Sequence, residues 1–476
     1  MPENPEGDAA SNASEQPKLV RQLGLFDSTM IVVGIVVGAG IFIATSEMAQ
    51  VLPSPGLILV AWIVGGILTL AGALTYAELG AAMPEAGGQY VFIREAFGRL
   101  LAFLFGWIFF LAYLCGVIAY MSLTFAEYLS YFLPALSTSN EIVSIGASSP
   151  FSFTITMGHI VAVALIAFLS SVNYFGVRIG KGVQNAFTVV KIGFILVFII
   201  WGLSAGDRPA LDLSMNPGGL PSGQLLIGFG LAMMAASIAF GGWDSLTFVA
   251  GEIKNPVRNI SLALLIGTII FTALYVSINL VYLRALTVDE MAGSLKIAED
   301  SASALQGDRA AGLVSALVLI SIFGGLNGVI LSGPRIYYAM ARDGVFFKRA
   351  ATVHPRYRTP GFAIWIQAAW ASILLLTGTV GQLIVFVTFI GTIFWIITAS
   401  SLFVLRRKLP DLERPYKVWG YPYVPIIFII SSACIMINAL FNKPLESLSG
   451  LALLALGVPV YFIWLRHDKG SATDES

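Results

Sequence analysis

Among the ionisable groups that fall inside or beside long apolar runs of this 476-residue chain, where such groups rarely sit without a task, one lysine and two carboxylates stand out. Lys191 lies ten residues beyond Lys181, about 15 Å further along a helix and near the middle of its run. A lysine at that depth costs about 2.5–3.5 kcal/mol to insert, and its stem is too short to snorkel out. It either packs against carbonyls as a structural group or works as an internal tether. Asp244 lies just past Gly241 and Gly242 in SIAFGGWDS, with only Trp243 between. A carboxylate there either orients unwound N–H groups as an N-cap does or faces a cationic ligand. Glu252 has Lys254 and Arg258 close in sequence and reads equally as part of a gate or as an interfacial ion pair. In SIFGGLNGVILSGPR, Ser321 and Asn327 fall near mid-run. They either meet Lys191 and the first apolar run or make ordinary interhelical hydrogen bonds.

Other chemistries find no support. His159, His354 and His467 fall at run ends or in connections, and none pairs with Cys or carboxylates at metal-ligand spacing, so no metal site and no cofactor is expected. Cys115 and Cys434 lie within apolar runs and suggest no disulfide framework. The Gly-x-x-x-x-Gly-Lys-Ser/Thr loop of a built-in ATPase is missing. An enzyme would need a clustered acid, base or metal set, whereas the deep charges here are few and scattered. A nutrient sensor would ask for a soluble domain that neither chain end is long enough to fold. Lys plus Arg and Asp plus Glu balance at 27 each, so net charge does not point to nucleic acid.

The elements that hold these groups follow from composition. Apolar residues make up 57% and charged residues 11%, against about 45–50% and about 25% in soluble domains, which excludes an ordinary soluble fold. A bilayer core of about 30 Å takes about 20 apolar residues as a helix. That ruler predicts spans 1 to 12 near residues 27–50, 57–82, 101–133, 153–174, 182–204, 222–250, 259–284, 310–341, 361–380, 382–405, 423–441 and 447–465. Residues 1–26 are polar, without a basic segment before an apolar one, and read as a disordered cytosolic tail. Residues 466–476 read as a second cytosolic tail. Twenty-one of the 27 basic residues fall on the side that holds both termini and five on the other, Lys191 belonging to neither. Cytoplasmic loops are enriched in Lys and Arg, so both termini are expected in the cytoplasm.

Span 1 carries Gly34, Gly38 and Gly40 in VVGIVVGAGIF, and span 6 carries Gly241 and Gly242. Glycine costs about 1 kcal/mol relative to alanine in a helix interior. Either cluster alone fits close packing of small residues, but the second sits five spans after the first. Corresponding interruptions in two halves point to a midplane substrate site in a repeat-built transporter. Residues 27–204 and 222–405 then form two five-helix halves, with the two helices of 423–465 following them. Unwinding exposes N–H groups at the start of one half-helix, which suit a carboxylate, and carbonyls at the end of the other, which suit an ammonium. An α-amino acid carries both groups one carbon apart.

Four stretches together resemble the amino acid–polyamine–organocation superfamily, and more closely its L-type amino acid transporter branch: VVGAGIF, TYAELGAAMPEAGGQY, AFGGWDSLTFVAGEIKNPVRNI and LRRKLPDLERPYKVWGYPYVP. The resemblance spans roughly residues 20 to 465. It implies an all-α membrane protein of the leucine-transporter fold, with 12 transmembrane helices, a five-plus-five inverted repeat over 27–204 and 222–405, and two peripheral helices over 423–465. It implies secondary transport of L-amino acids, neutral ones first, by alternating access. A proton-coupled symporter or a cationic amino acid or polyamine carrier stays open beside it. By matched motif, the substrate carboxylate would meet the N–H groups of Ala39 and Gly40, and the amine the carbonyls of Val36, Ile238 and Gly241. Phe240 and Trp243 flank the second break, and Trp395 matches a pocket-side tryptophan. Lys191 stands where sodium-coupled relatives hold an ion, tethering span 1 to span 8. Ile238 and Thr392 replace gating aromatics of the branch, which weighs against large aromatic substrates. Animal members join a heavy chain through a cysteine between spans 3 and 4. Residues 134–152 contain none, so a disulfide-linked partner is not implied, and a bacterial inner membrane fits best.

Overall fold

The computed structural model describes residues 18–145, 153–204, 213–215, 219, 221–294, 296–376 and 380–473. Among them, 11 helices are long and apolar enough to cross a membrane. A twelfth, Gly361–Leu376, is shorter and fills the place of span 9. With the flanking helix Val380–Lys408, every expected span has a helical counterpart. The chain is an all-α integral membrane protein, because a helix satisfies its own backbone where no water reaches.

The arrangement sorts spans into a centre and a rim. In span 1, 78% of the most apolar window is buried inside the protein, against 17% in span 12, Ser447–Leu465, so the first is core and the last is jacket. Span 1 packs on span 7, Pro256–Ala285, on span 5, Val177–Ser204, and on span 8, Asp308–Ser332 with Pro334–Arg342. Span 3 begins at Arg99–Ile108, passes through one wide turn at Phe109–Tyr113 and continues as Leu114–Leu129. Wide turns of this type often mark functional sites.

Three boundaries differ from the sequence expectation. Phe153–Thr156, expected as the start of span 4, is a strand paired antiparallel with Glu141–Ile145, and the helix begins at Met157. Thr156 ends the strand and caps the helix, its side chain accepting from the His159 N–H. Span 12 continues as helix to Thr473, so residues 466–473 extend the last helix where a tail is expected. Residues 1–17 and 474–476 of the expected tails lie outside the described residues. From Gln22 onward the chain is docked: the N–H groups of Gln22 and Leu23 donate to the Glu252 carbonyl at 2.8 and 2.9 Å, and the Lys254 N–H donates to Leu23 O at 2.8 Å.

Candidate functional site

Both glycine-marked spans are broken, and the breaks meet. Span 1 runs as helix over Leu25–Val36, loosens through Val37 to Ala39, makes a single tight turn at Gly40–Phe42 and resumes at Ala44–Val51. Span 6 runs over Ser222–Phe240, opens at Gly241 to Asp244 and resumes briefly at Ser245–Phe248. Two glycines are required by geometry. Gly242 has φ +98°, and a Cβ there would lie 2.5 Å from the Ile35 side chain. A Cβ on Gly40 would lie 2.7 Å from the Ala239 Cα, so the breaks touch backbone to backbone.

Between them lies a cavity of about 150 Å³. Val36, Ala39, Gly40, Ile238, Gly241 and Trp395 line it, as expected from sequence. Phe240 and Trp243 do not. Phe240 turns the other way and packs on Trp62 and Tyr275 with ring centres 5.5 and 5.2 Å apart. Trp243 packs edge-on against Tyr76 at 4.7 Å. The lining that sequence did not single out comes from Tyr113, Val117, Tyr120 and Met121 of span 3, and from Glu47, whose carboxylate is the charged group on the wall and is exposed. Tyr113 ends the wide turn of span 3, which in sequence is only an apolar stretch.

The broken backbone leaves polar groups available. The Ala39 and Gly40 N–H groups have no hydrogen-bond partner among the described residues. The carbonyls are partly used: Val36 O accepts from the Tyr275 hydroxyl at 2.6 Å and the Gly38 N–H at 2.7 Å, and Ile238 O accepts from the Gly241 N–H at 3.1 Å. A carbonyl has a second lone pair, but these two offer less than the sequence suggests.

Lys191 is fully buried. Its ammonium donates to Gly34 O and Val37 O at 2.8 Å each and to Ser321 O at 3.0 Å. It thus ties the end of the first half of span 1 to span 8, through the Ser321 carbonyl and not its hydroxyl. Asn327 does not reach the lysine. Its amide donates to Gln184 Oε1 at 2.9 Å and accepts from Asn173 at 2.9 Å, joining spans 4, 5 and 8.

Asp244 makes no cap bond. Its Oδ2 instead accepts from the Gln89 amide and, at 3.2 Å, from the Trp395 indole N–H. Glu252 pairs with neither Lys254 nor Arg258. It is buried against Arg335 in a two-pronged pair, 2.6 Å from Nε and 3.2 Å from Nη2. Three further ion pairs gather at the same end of the bundle: Arg94 with Asp343 at 2.8 Å, Arg406 with Glu78 at 2.7 Å, and Lys181 with Asp27 at 2.7 Å. Burial alone would lower the Arg94 guanidinium, but the Asp343 carboxylate holds it above its ordinary value. These pairs cross-link the end of the molecule where the basic residues collect. No cluster of metal-ligating side chains occurs among the described residues.

The profile of a family described as amino acid permease matches residues 23–463. A serine/threonine exchanger of Bacillus subtilis (strain 168) is 30% identical over 455 residues, covering 94% of this chain and 98% of its own. The large neutral amino acids transporter small subunit 2 of Mus musculus is 32% identical over 480 residues, covering 98% of this chain and 85% of its own. The b(0,+)-type amino acid transporter 1 of Homo sapiens is 30% identical over 481 residues, with 98% and 93% covered.

Proposed function

The chain belongs to the amino acid permease family and is a secondary transporter of amino acids, not an enzyme, and we propose that it exchanges small neutral L-amino acids across the membrane by alternating access. The observation that carries this is the pair of breaks facing one mostly apolar cavity of about 150 Å³, with the Ala39 and Gly40 N–H groups unpartnered on its wall. Those groups take the substrate carboxylate. The Ile238 and Gly241 carbonyls, with the remaining lone pair of Val36 O, take the ammonium. The limited volume and the aliphatic Ile238 leave room for a short side chain, in keeping with the serine/threonine specificity named for the Bacillus subtilis relative.

In this reading residues 27–204 and 222–405 are inverted repeats that rock about the site, Lys191 holds span 1 to span 8 in one of the two states, and Glu252 with Arg335 closes one end. Both termini face the cytoplasm, and the membrane is a bacterial inner membrane. No disulfide-linked heavy chain takes part. A second reading, a cationic amino acid carrier, is favoured by one observation, the exposed Glu47 carboxylate on the cavity wall.

The test is uptake of labelled alanine, serine, leucine and arginine into proteoliposomes. Uptake of alanine and serine only into vesicles preloaded with unlabelled amino acid is expected. Uptake into empty vesicles under an inward proton gradient would replace exchange by symport, and a preference for arginine would favour the cationic reading.

A further inference from the structure

Asp244 is a carboxylate that substrate binding as described above does not use, and a single hydrogen bond joins it to Trp395 of the cavity wall. It is buried, and its hydrogen-bonding side-chain partners are both neutral. Gln89 donates its amide to Asp244, while its Oε1 accepts from the Thr398 hydroxyl at 3.1 Å and the Tyr76 hydroxyl at 3.3 Å. The titratable groups facing Asp244 are Tyr76 from span 2 and Tyr113 from span 3. Spans 1, 7 and 8, which pack on Ser245–Phe248, and span 10 with Trp395 and Thr398, present no charged side chain to it among the described residues.

A negative charge at this depth without a cation is expensive, and such groups escape the cost by taking up a proton. Here two neutral donors, the Gln89 amide and the Trp395 indole, support the ionised form. One of them, the Trp395 indole, is itself part of the cavity wall. Any movement of the indole changes the support for the charge, and any change of charge alters the pull on the indole, because a hydrogen bond to an ionised acceptor is roughly twice as strong as a neutral one. Linkage of this kind is reciprocal.

We propose that Asp244 is a proton-binding site coupled to the substrate cavity through Trp395. The proton comes from water in the cavity and adds to Oδ1, leaving Oδ2 to its two donors. The ionised carboxylate holds Trp395 in place and keeps the cavity formed. The neutral acid loosens it. This rests on the cavity being the amino acid site, and it adds to exchange a pH dependence that exchange alone does not need.

Two measurements separate the proton site from the transport reading. Infrared spectra of the purified protein, titrated without substrate over about pH 4 to 9, the range a buried carboxyl can reach, should show a protonated-carboxyl band that grows on acidification and is missing in Asp244→Asn. A spectrum without that band, or a band that persists in the variant, overturns the proposal whatever the protein transports. In proteoliposomes, KM for serine is expected to rise about fivefold from the alkaline to the acid end, and to stay at its acid value throughout in Asp244→Asn. Trp395→Phe, which keeps the carboxylate and removes the N–H, should abolish the pH dependence of KM while retaining the infrared band. A KM that still follows pH in Trp395→Phe would overturn the coupling.

Discussion

Replacing Lys191 by alanine takes a charged donor from three carbonyls at once, those of Gly34, Val37 and Ser321. The Ser321 carbonyl keeps its bond within the span 8 helix, but each of the Gly34 and Val37 acceptors left unpaired costs about 1–3 kcal/mol, and that falls on the broken segment of span 1. Transport by Lys191→Ala should therefore drop by about 100-fold or more, while the protein still reaches the membrane. Uptake at the wild-type rate in that variant would remove the tether from the mechanism. Gly40 makes a different test. Its missing Cβ faces the Ala239 backbone, not the open cavity, so a larger residue works by pushing the two breaks apart. Gly40→Ala is already expected to lose substrate-induced thermal stabilisation, and Gly40→Leu to lose it entirely; retained stabilisation in Gly40→Leu would contradict the site. Lys191 and the glycines were legible in sequence because each violates the rule of its own helix. The partners of Asp244 and Glu252 were not, since Gln89 meets Asp244 across 155 positions and Arg335 meets Glu252 across 83.

The broken spans show what local sequence can and cannot specify about an element. Glycine clusters located both interruptions, since flexibility is a local property. Which side chains of the second break face the cavity depends on how spans 2, 3 and 10 pack, and that is why Phe240 and Trp243 turn out to be wall supports. The Phe153–Thr156 strand escaped notice because four residues are too few to show a period of two against a long apolar run. The end of span 6 is the element where an ion pair can be tested. Glu252 serves twice, its carboxylate on Arg335 and its carbonyl on Gln22 and Leu23, so one residue links span 8 to the start of span 1. Glu252→Gln leaves a buried guanidinium unpaired, and breaking such a pair costs about 3–5 kcal/mol. A lower melting temperature is expected, together with partial recovery in the double variant Glu252→Gln, Arg335→Met, which removes the stranded charge. If Glu252→Gln melts like the wild type, the pair does not hold that end shut.

At the scale of the whole molecule, charge distribution and structure can be joined in one test of orientation. The ion pairs of Glu252, Asp343, Glu78 and Asp27 all lie at the end where most Lys and Arg collect, and the cavity lining instead reaches the exposed Glu47. If the basic end is cytoplasmic, the side where loops are enriched in Lys and Arg, the cavity reaches the outer face and the four ion pairs cross-link the inner end. Single cysteines decide this in a background where the exposed Cys434 is replaced by serine and the buried Cys115 is kept. Ser139→Cys lies in the exposed connection between spans 3 and 4, and Lys417→Cys in the exposed connection between spans 10 and 11. A membrane-impermeant maleimide should label Ser139→Cys in intact cells and Lys417→Cys only after permeabilisation. The reverse pattern would invert the molecule, and Glu252 with Arg335 would then close the outer path, leaving the cavity open to the cytoplasm.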